Sequence, residues 1–147
     1  MDIEASYNFR RITERLTTSG IVHPDGLKAL RGQGYEVVVN LLPDTSEYAI
    51  PYERDTVESQ GIEYIYIPVD FKRPTSSNFL QFSEALDRVH EKKVHVHCAA
   101  NYRVSAFCSL YLVSRDRWGA EQAMEFIRSI WQPTEHPGWS EFPPVSG

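Results

Sequence analysis

Three short apolar runs, separated by helical stretches, constrain the fold most. Val37-Val38-Val39-Asn40-Leu41-Leu42 is nearly continuous and reads as a strand buried on both faces. Ile62 to Ile67 is rich in β-branched and aromatic residues, and Val94-His95-Val96-His97 is the next such run. Strands buried on both faces and alternating with helices mean a mainly parallel sheet with helices above and below. The expected fold is therefore a three-layer α/β domain of four or five strands, with Val94–His97 central.

The punctuation between the runs fills in the rest. Leu16 to Ser19 reads as a short edge strand closed by Gly20. His23-Pro24-Asp25 opens a helix with proline in the first turn, and Gly32 and Gly34 stop it. A more polar helix is predicted over Pro51 to Gln60. Ser76 or Ser77 caps the next helix, whose Phe79, Phe82, Leu86 and Val89 share one face. The segment Val104 to Ser114 is apolar nearly all round and is predicted as a buried helix. A last helix is predicted over Gly119 to Trp131. From Gln132 onward the spacing of prolines predicts an extended tail pinned by Trp139 and Phe142.

Composition excludes several classes. A chain of 147 residues is one domain's worth and can bury a core without staples. Its net charge of -5 argues against a nucleic-acid or anionic-membrane binder. No apolar run approaches a membrane span, and the start lacks the apolar core of a signal peptide. Two cysteines, Cys98 and Cys108, make no disulfide framework, and a reducing cytoplasm is the expected setting. Cys108 lies on an apolar helical stripe and reads as core. His95 and His97 share one sheet face, but no third ligand stands at a recognisable spacing, so no metal is expected.

Chemistry concentrates in His97-Cys98-Ala99-Ala100-Asn101-Tyr102-Arg103-Val104-Ser105, between a buried strand and a buried helix. Ligands of open α/β sheets bind at the carboxyl ends of the strands. A tight loop there points successive N–H groups inward, and the helix start adds partial positive charge. An arginine in that loop can grip two oxygens of a phosphate. A cysteine at the mouth feels these positive ends and becomes a nucleophile. Asp70, at the same sheet edge, is placed to act as general acid, and Lys72 and Arg73 are either a solvated pair or steer an anion. His97 is expected to orient Cys98 through a backbone hydrogen bond.

The segment resembles the signature loop of the cysteine-based protein tyrosine and dual-specificity phosphatases, His-Cys-x5-Arg-Ser/Thr. Val39-Asn40-Leu41 and Ile65-Tyr66-Ile67-Pro68-Val69-Asp70 match the family's order of strand ends, and the likeness runs from about Leu16 to Trp131. More narrowly the chain resembles small bacterial phosphatase-like proteins with a Cys-x4-Arg loop, some of whose relatives are fused to sulfur-handling or β-lactamase-like hydrolase domains. The resemblance implies hydrolysis of a phosphate monoester, on a protein or small molecule, through a phosphocysteine. Cys98 is then the nucleophile, Arg103 and the Ala99–Val104 amides the oxyanion cradle, Asp70 the acid, and Ser105 a support for the departing thiolate. Neither metal nor organic cofactor is implied.

Two departures matter. Arg103 stands five positions after Cys98 instead of six, with Val104 in the sixth, while Ser105 keeps the family's distance of seven. The usual loop glycine is Asn101, which tolerates the left-handed conformation. A shorter loop predicts a smaller cradle closed by Arg103, a helix starting at Val104, and weak phosphatase activity. It also leaves open a sulfurtransferase or persulfide-handling enzyme with a rhodanese-like short loop, and a non-catalytic phosphate binder.

Overall fold

The structure is a computed structural model that describes residues 2–136 together with Gly138 and Trp139. Five strands form one sheet: β1 (Arg10–Arg11), β2 (Leu16–Ser19), β3 (Val37–Asn40), β4 (Glu63–Tyr66) and β5 (Val94–His97). Their spatial order is β1-β2-β5-β3-β4. All pairings are parallel except β1 with β2. The expected three-layer α/β architecture is present, with β5 in the middle. One assignment is corrected: Leu16–Ser19 is not the edge, because β1 pairs outside it with Arg10 opposite Thr18. Two arginines carry neither alternation nor β-branching, so no strand signal is legible there.

The helices are α1 (Pro24–Lys28), α2 (Glu53–Glu58), α3 (Ser76–Arg88), α4 (Tyr102–Ser114) and α5 (Ala120–Arg128), with short 3-10 turns at Ile3–Ala5, Arg31–Gln33 and Pro133–Glu135. Several ends differ from expectation. Thr75, not a serine, caps α3, and Asn78 completes the box by accepting from the Thr75 N–H. The predicted α2 and α5 are longer than the observed ones, as fraying terminal turns usually make them. α4 starts two residues before Val104. The tail begins with a 3-10 turn rather than extended chain; of its predicted anchors, Trp139 is buried, and Phe142 lies outside the described residues. Among the described residues no helix is long and apolar enough to cross a membrane.

Strand alternation divides the core into two. Val37, Val39, Val94 and Val96 face α3, α4 and α5, where Phe82, Phe107, Tyr111 and Trp131 fill the layer. Val38 faces the other way, onto Leu27, Leu30, Tyr35 and Val57 from α1, α2 and their connections. Full burial of each such valine is worth roughly 1.5–3 kcal/mol.

The second face also carries a polar row, and its hydrogen bonds close on themselves. His95 lies wholly buried between Thr17 and Ser19, with Nδ1 2.8 Å from Thr17 Oγ1 and Nε2 2.8 Å from Ser19 Oγ. Ser19 spends its proton on the Gly20 carbonyl at 2.8 Å, so it accepts from His95 Nε2–H. Thr17 then donates to Nδ1 and accepts from the Tyr35 hydroxyl at 2.8 Å. Every partner in this row requires a neutral ring. Burial first, and the neighbouring His97 second, push the His95 proton affinity well below the ordinary histidine range.

That depression has a definite sign. Below about pH 6.5 the unfolded chain takes up a proton at His95 that the folded protein refuses, so stability falls as pH falls. Urea unfolding is expected to show this component as a loss of about 1.4 kcal/mol per pH unit below that point. In His95→Gln the slope flattens by that amount; an equal slope in both proteins would show that the ring titrates freely in the fold.

Candidate active site

β5 is hydrogen-bonded on both sides, to β2 and β3, and its last residue His97 lies opposite Ser19 and Asn40. The chain then leaves the sheet at Cys98, whose N–H still donates to the Ser19 carbonyl at 3.3 Å. Cys98 is fully buried at the head of a four-residue loop, Cys98 to Asn101, and α4 follows at once.

Asn101 makes this abrupt start possible. Its φ is 70°, the left-handed conformation that asparagine adopts more readily than most residues. Its side-chain N–H groups donate to the Asn8 carbonyl at 2.9 Å and to Thr18 Oγ1 at 3.0 Å. Asn8 returns a hydrogen bond to the Ala100 carbonyl at 3.0 Å. Gly20 lies directly beneath, and the Ile21 N–H donates to the Ala99 carbonyl at 2.9 Å. The loop is therefore clamped from the β2 side.

The first helical bond of α4 runs from the Ser105 N–H to the Asn101 carbonyl at 2.9 Å. Among the described residues, the N–H groups of Ala99, Ala100, Asn101, Tyr102, Arg103 and Val104 donate to no protein acceptor. They stand together at the start of a thirteen-residue buried helix, with its partial positive charge behind them.

Arg103 rides on the first turn of α4, not in the loop. Its Nε donates to the Val69 carbonyl at 2.8 Å, and its guanidinium lies 5.1 Å from the Phe71 ring centre. Asp70 is the residue between those two contacts. It is exposed, and its Oδ1 accepts the Lys72 N–H at 2.9 Å, while its carbonyl accepts the Arg73 N–H at 3.1 Å. The structure thus joins the Arg103 and Asp70 segments directly and brings both to the carboxyl edge of the sheet where Cys98 stands.

Ser105 stands elsewhere in this arrangement. Its hydroxyl donates to the Tyr102 carbonyl at 3.0 Å and accepts from Trp131 Nε1 at 2.9 Å. Both bonds secure the start of α4. Val104 is fully buried in the core. Tyr102 stacks on Trp131, with ring centres 4.7 Å apart and planes 4° from parallel, and Phe71, His136 and Trp139 continue this aromatic wall. Cys108 is a core residue: burial pushes its thiol up, with Cys98 nearby adding to the shift, so it stays protonated. No group of three metal-ligating side chains occurs among the described residues.

His97 reaches further than a backbone contact. Its Nδ1 is 3.5 Å from the Cys98 carbonyl, but its Nε2 is 2.5 Å from Glu53 Oε2. Glu53 was missed in the sequence because it sits in a polar helix with no motif. The signal available was indirect: a histidine in a buried strand needs a partner.

A buried thiol at the end of the central strand, a row of amides without protein acceptors at a helix start, and an arginine joined to the Asp70 loop, all on a β1-β2-β5-β3-β4 sheet, define a cysteine-based phosphatase fold. Residues 8–135 match the family described as a DSP-PTPase phosphatase fused to NAD+ kinase, and the chain belongs to that family. A crystallised presumed phosphatase (DUF442) from Shewanella putrefaciens is 33% identical, with a TM-score of 0.82 over 93% of this chain and 87% of that one. TpbA from P. aeruginosa, crystallised with pTyr, superposes with a TM-score of 0.74 over 94% of this chain and 83% of that one; at 17% identity the likeness is one of fold. The β-lactamase hydrolase-like protein of Agrobacterium fabrum is 29% identical over 96 residues, which are 63% of this chain and 22% of that protein. This chain thus corresponds to a minor part of that relative's length.

The seat of the loop on Gly20 is directly testable. A Cβ there would lie 2.5 Å from the Ala99 carbonyl oxygen and 2.8 Å from the Ala100 Cα, both backbone atoms. Gly20→Ala is expected to cost about 1–3 kcal/mol of stability, as overpacking does. It should also weaken sulfate binding measured by calorimetry. Native melting with native sulfate affinity would show that the loop does not depend on this contact.

Proposed function

We propose that this chain hydrolyses phosphate monoesters through a phosphocysteine on Cys98. The observation that carries the reading is the row of six N–H groups after Cys98, without protein acceptors, at the start of a buried helix. Such a row is an anion nest, and its donors are fixed before substrate arrives. Membership of a phosphatase family supports the same chemistry.

In the first step Cys98 Sγ attacks phosphorus in line, an S–P bond forms, and the bond to the leaving oxygen breaks. The amides of Ala99 to Val104 hold the equatorial oxygens, where charge is spread in the transition state. Arg103 keeps Nε on Val69, and its two Nη groups make no hydrogen bond among the described residues, which leaves the fork available to the phosphoryl oxygens. Asp70 gives its proton to the leaving oxygen. In the second step Asp70 takes a proton from water, the water oxygen attacks phosphorus, and the S–P bond breaks to restore the thiolate. The substrates are phosphorylated proteins or small molecules; TpbA crystallised with pTyr and the yeast PP-IP phosphatase SIW14 with citrate, and both share this fold, which supports an anionic ligand. The relatives support this hydrolase over a sulfur-transfer enzyme.

Two variants check the roles. Cys98→Ser is expected to abolish turnover of an aryl phosphate while retaining sulfate binding. Asp70→Asn should slow poor leaving groups by about 10²–10⁴, the usual share of a general acid, and activated aryl phosphates much less. Equal losses for both substrates would remove Asp70 from the acid role, and full activity in Cys98→Ser would end the phosphocysteine reading.

A further inference from the structure

Cys98, Arg103 and Asp70 come from three segments: the end of β5, the first turn of α4 and the loop after β4. Their backbone links converge on one buried side chain. Glu53, the first residue of α2, is 5% exposed and points under the carboxyl ends of β3 and β5. One of its oxygens meets His97 Nε2 at 2.5 Å, and His97 leads directly into Cys98. The other accepts from Asn40 Nδ2 at 3.3 Å. Asn40 Oδ1 accepts the Leu42 N–H at 2.8 Å, which shapes the turn leaving β3. Within that turn the Leu41 N–H donates to the His97 carbonyl at 2.9 Å, and the Leu41 carbonyl accepts the Val69 N–H at 3.0 Å. Val69 holds Arg103 through its carbonyl and is followed by Asp70.

We propose that Glu53 is a positioning residue, which ties the ends of β3 and β5 together and so sets Cys98 and Asp70 in register, while Arg103 keeps the place that the core gives α4. Two further observations favour this over a purely stabilising acid. Buried ion pairs contribute little that a well-packed apolar residue could not replace. Tyr52, which aims Glu53 inward, is 80% exposed yet held at φ 59°, a strained conformation for a bulky residue. Strain that serves only to bury a charge would be a poor arrangement for stability alone.

The kinetic part of the test rests on the phosphatase reading; the exchange part does not. The anion cradle itself is clamped from Asn8, Thr18 and Gly20, not through Glu53. Loss of Glu53 should therefore misalign the groups without emptying the cradle. Glu53→Leu is expected to lower kcat for p-nitrophenyl phosphate at least about tenfold, since small displacements of reacting groups carry large rate losses. KM and the tungstate dissociation constant should stay within about threefold, because the cradle amides bind the oxyanion independently. Glu53→Gln, which can accept from Asn40 and donate to His97, should restore kcat to within about threefold of native. Glu53→Asp keeps the charge but shortens the reach, and it should lose kcat as Leu does, which serves if the Leu variant fails to fold. Amide hydrogen exchange should quicken at Leu41 and Val69 in Glu53→Leu and Glu53→Asp but not in Glu53→Gln. Native kcat and native exchange in the Asp and Leu variants overturn the proposal, as does joint loss of kcat and tungstate affinity. A native protein that neither binds tungstate nor turns over the ester defeats the phosphatase reading instead; unchanged exchange then overturns the positioning role as well.

Discussion

The pairing of β5 on both of its edges is the constraint from which the site hangs. A strand buried on two faces and bonded on two sides cannot slip by one residue without turning Val94 and Val96 away from α3 and α4 and His95 into an apolar layer. Its end is therefore fixed in space, and the chain can leave it only at Cys98. The neighbours extend this control outward. β2 supplies Gly20 and the Ser19 carbonyl beneath the loop, and β3 supplies Leu41, which hands the register on to Val69 and hence to Arg103 and Asp70.

Polar residues buried beneath the sheet complete that control. Thr17, Ser19, His95, His97, Glu53 and Asn40 would each be a liability in an apolar core. Here each is bonded, and most of the bonds link different strands or tie a strand to α2. The row divides in two. The His95 half closes on protein acceptors and keeps the ring neutral. The His97 half contains the one carboxylate, and its charge, after burial, helps push the neighbouring Tyr64 phenol up. A neutral, self-satisfied half and a half that holds a carboxylate and touches the Cys98 backbone give different duties to two histidines that look alike in the sequence.

Periodicity and apolar runs were enough to read the layer architecture, the central place of β5 and the loop that carries Cys98, because those features are local. What escaped was non-local. β1 has only two residues and exists because β2 offers it an edge. Glu53 has no motif, and its meaning depends on a strand 44 positions away. The bond from Trp131 to the Ser105 hydroxyl reaches α4 from beyond α5, which spacing along the chain does not show. The aromatic wall of Phe71, Tyr102 and Trp131 draws on three segments whose nearness no pattern in the sequence announces.

The shortened loop can be understood from the other end of the helix. Val104, Phe107, Cys108 and Tyr111 are buried against the sheet, and Ser105 is bonded to Trp131, so the register of α4 is set by the core from Val104 onward. A residue missing between Cys98 and Arg103 cannot be absorbed by sliding that helix. It is absorbed where the chain is most adaptable, at Asn101, whose left-handed turn lets helix begin immediately at Tyr102. One consequence is that Arg103 becomes a helical residue at a helix start, where the dipole disfavours a cation that has no anion to meet. Its Nε bond to Val69 and its place over Phe71 offset part of that cost and aim it along the Asp70 loop. Arg103 thus approaches from the side of Asp70, and the row of amides after Cys98 is kept while the direction from which the cation faces it changes.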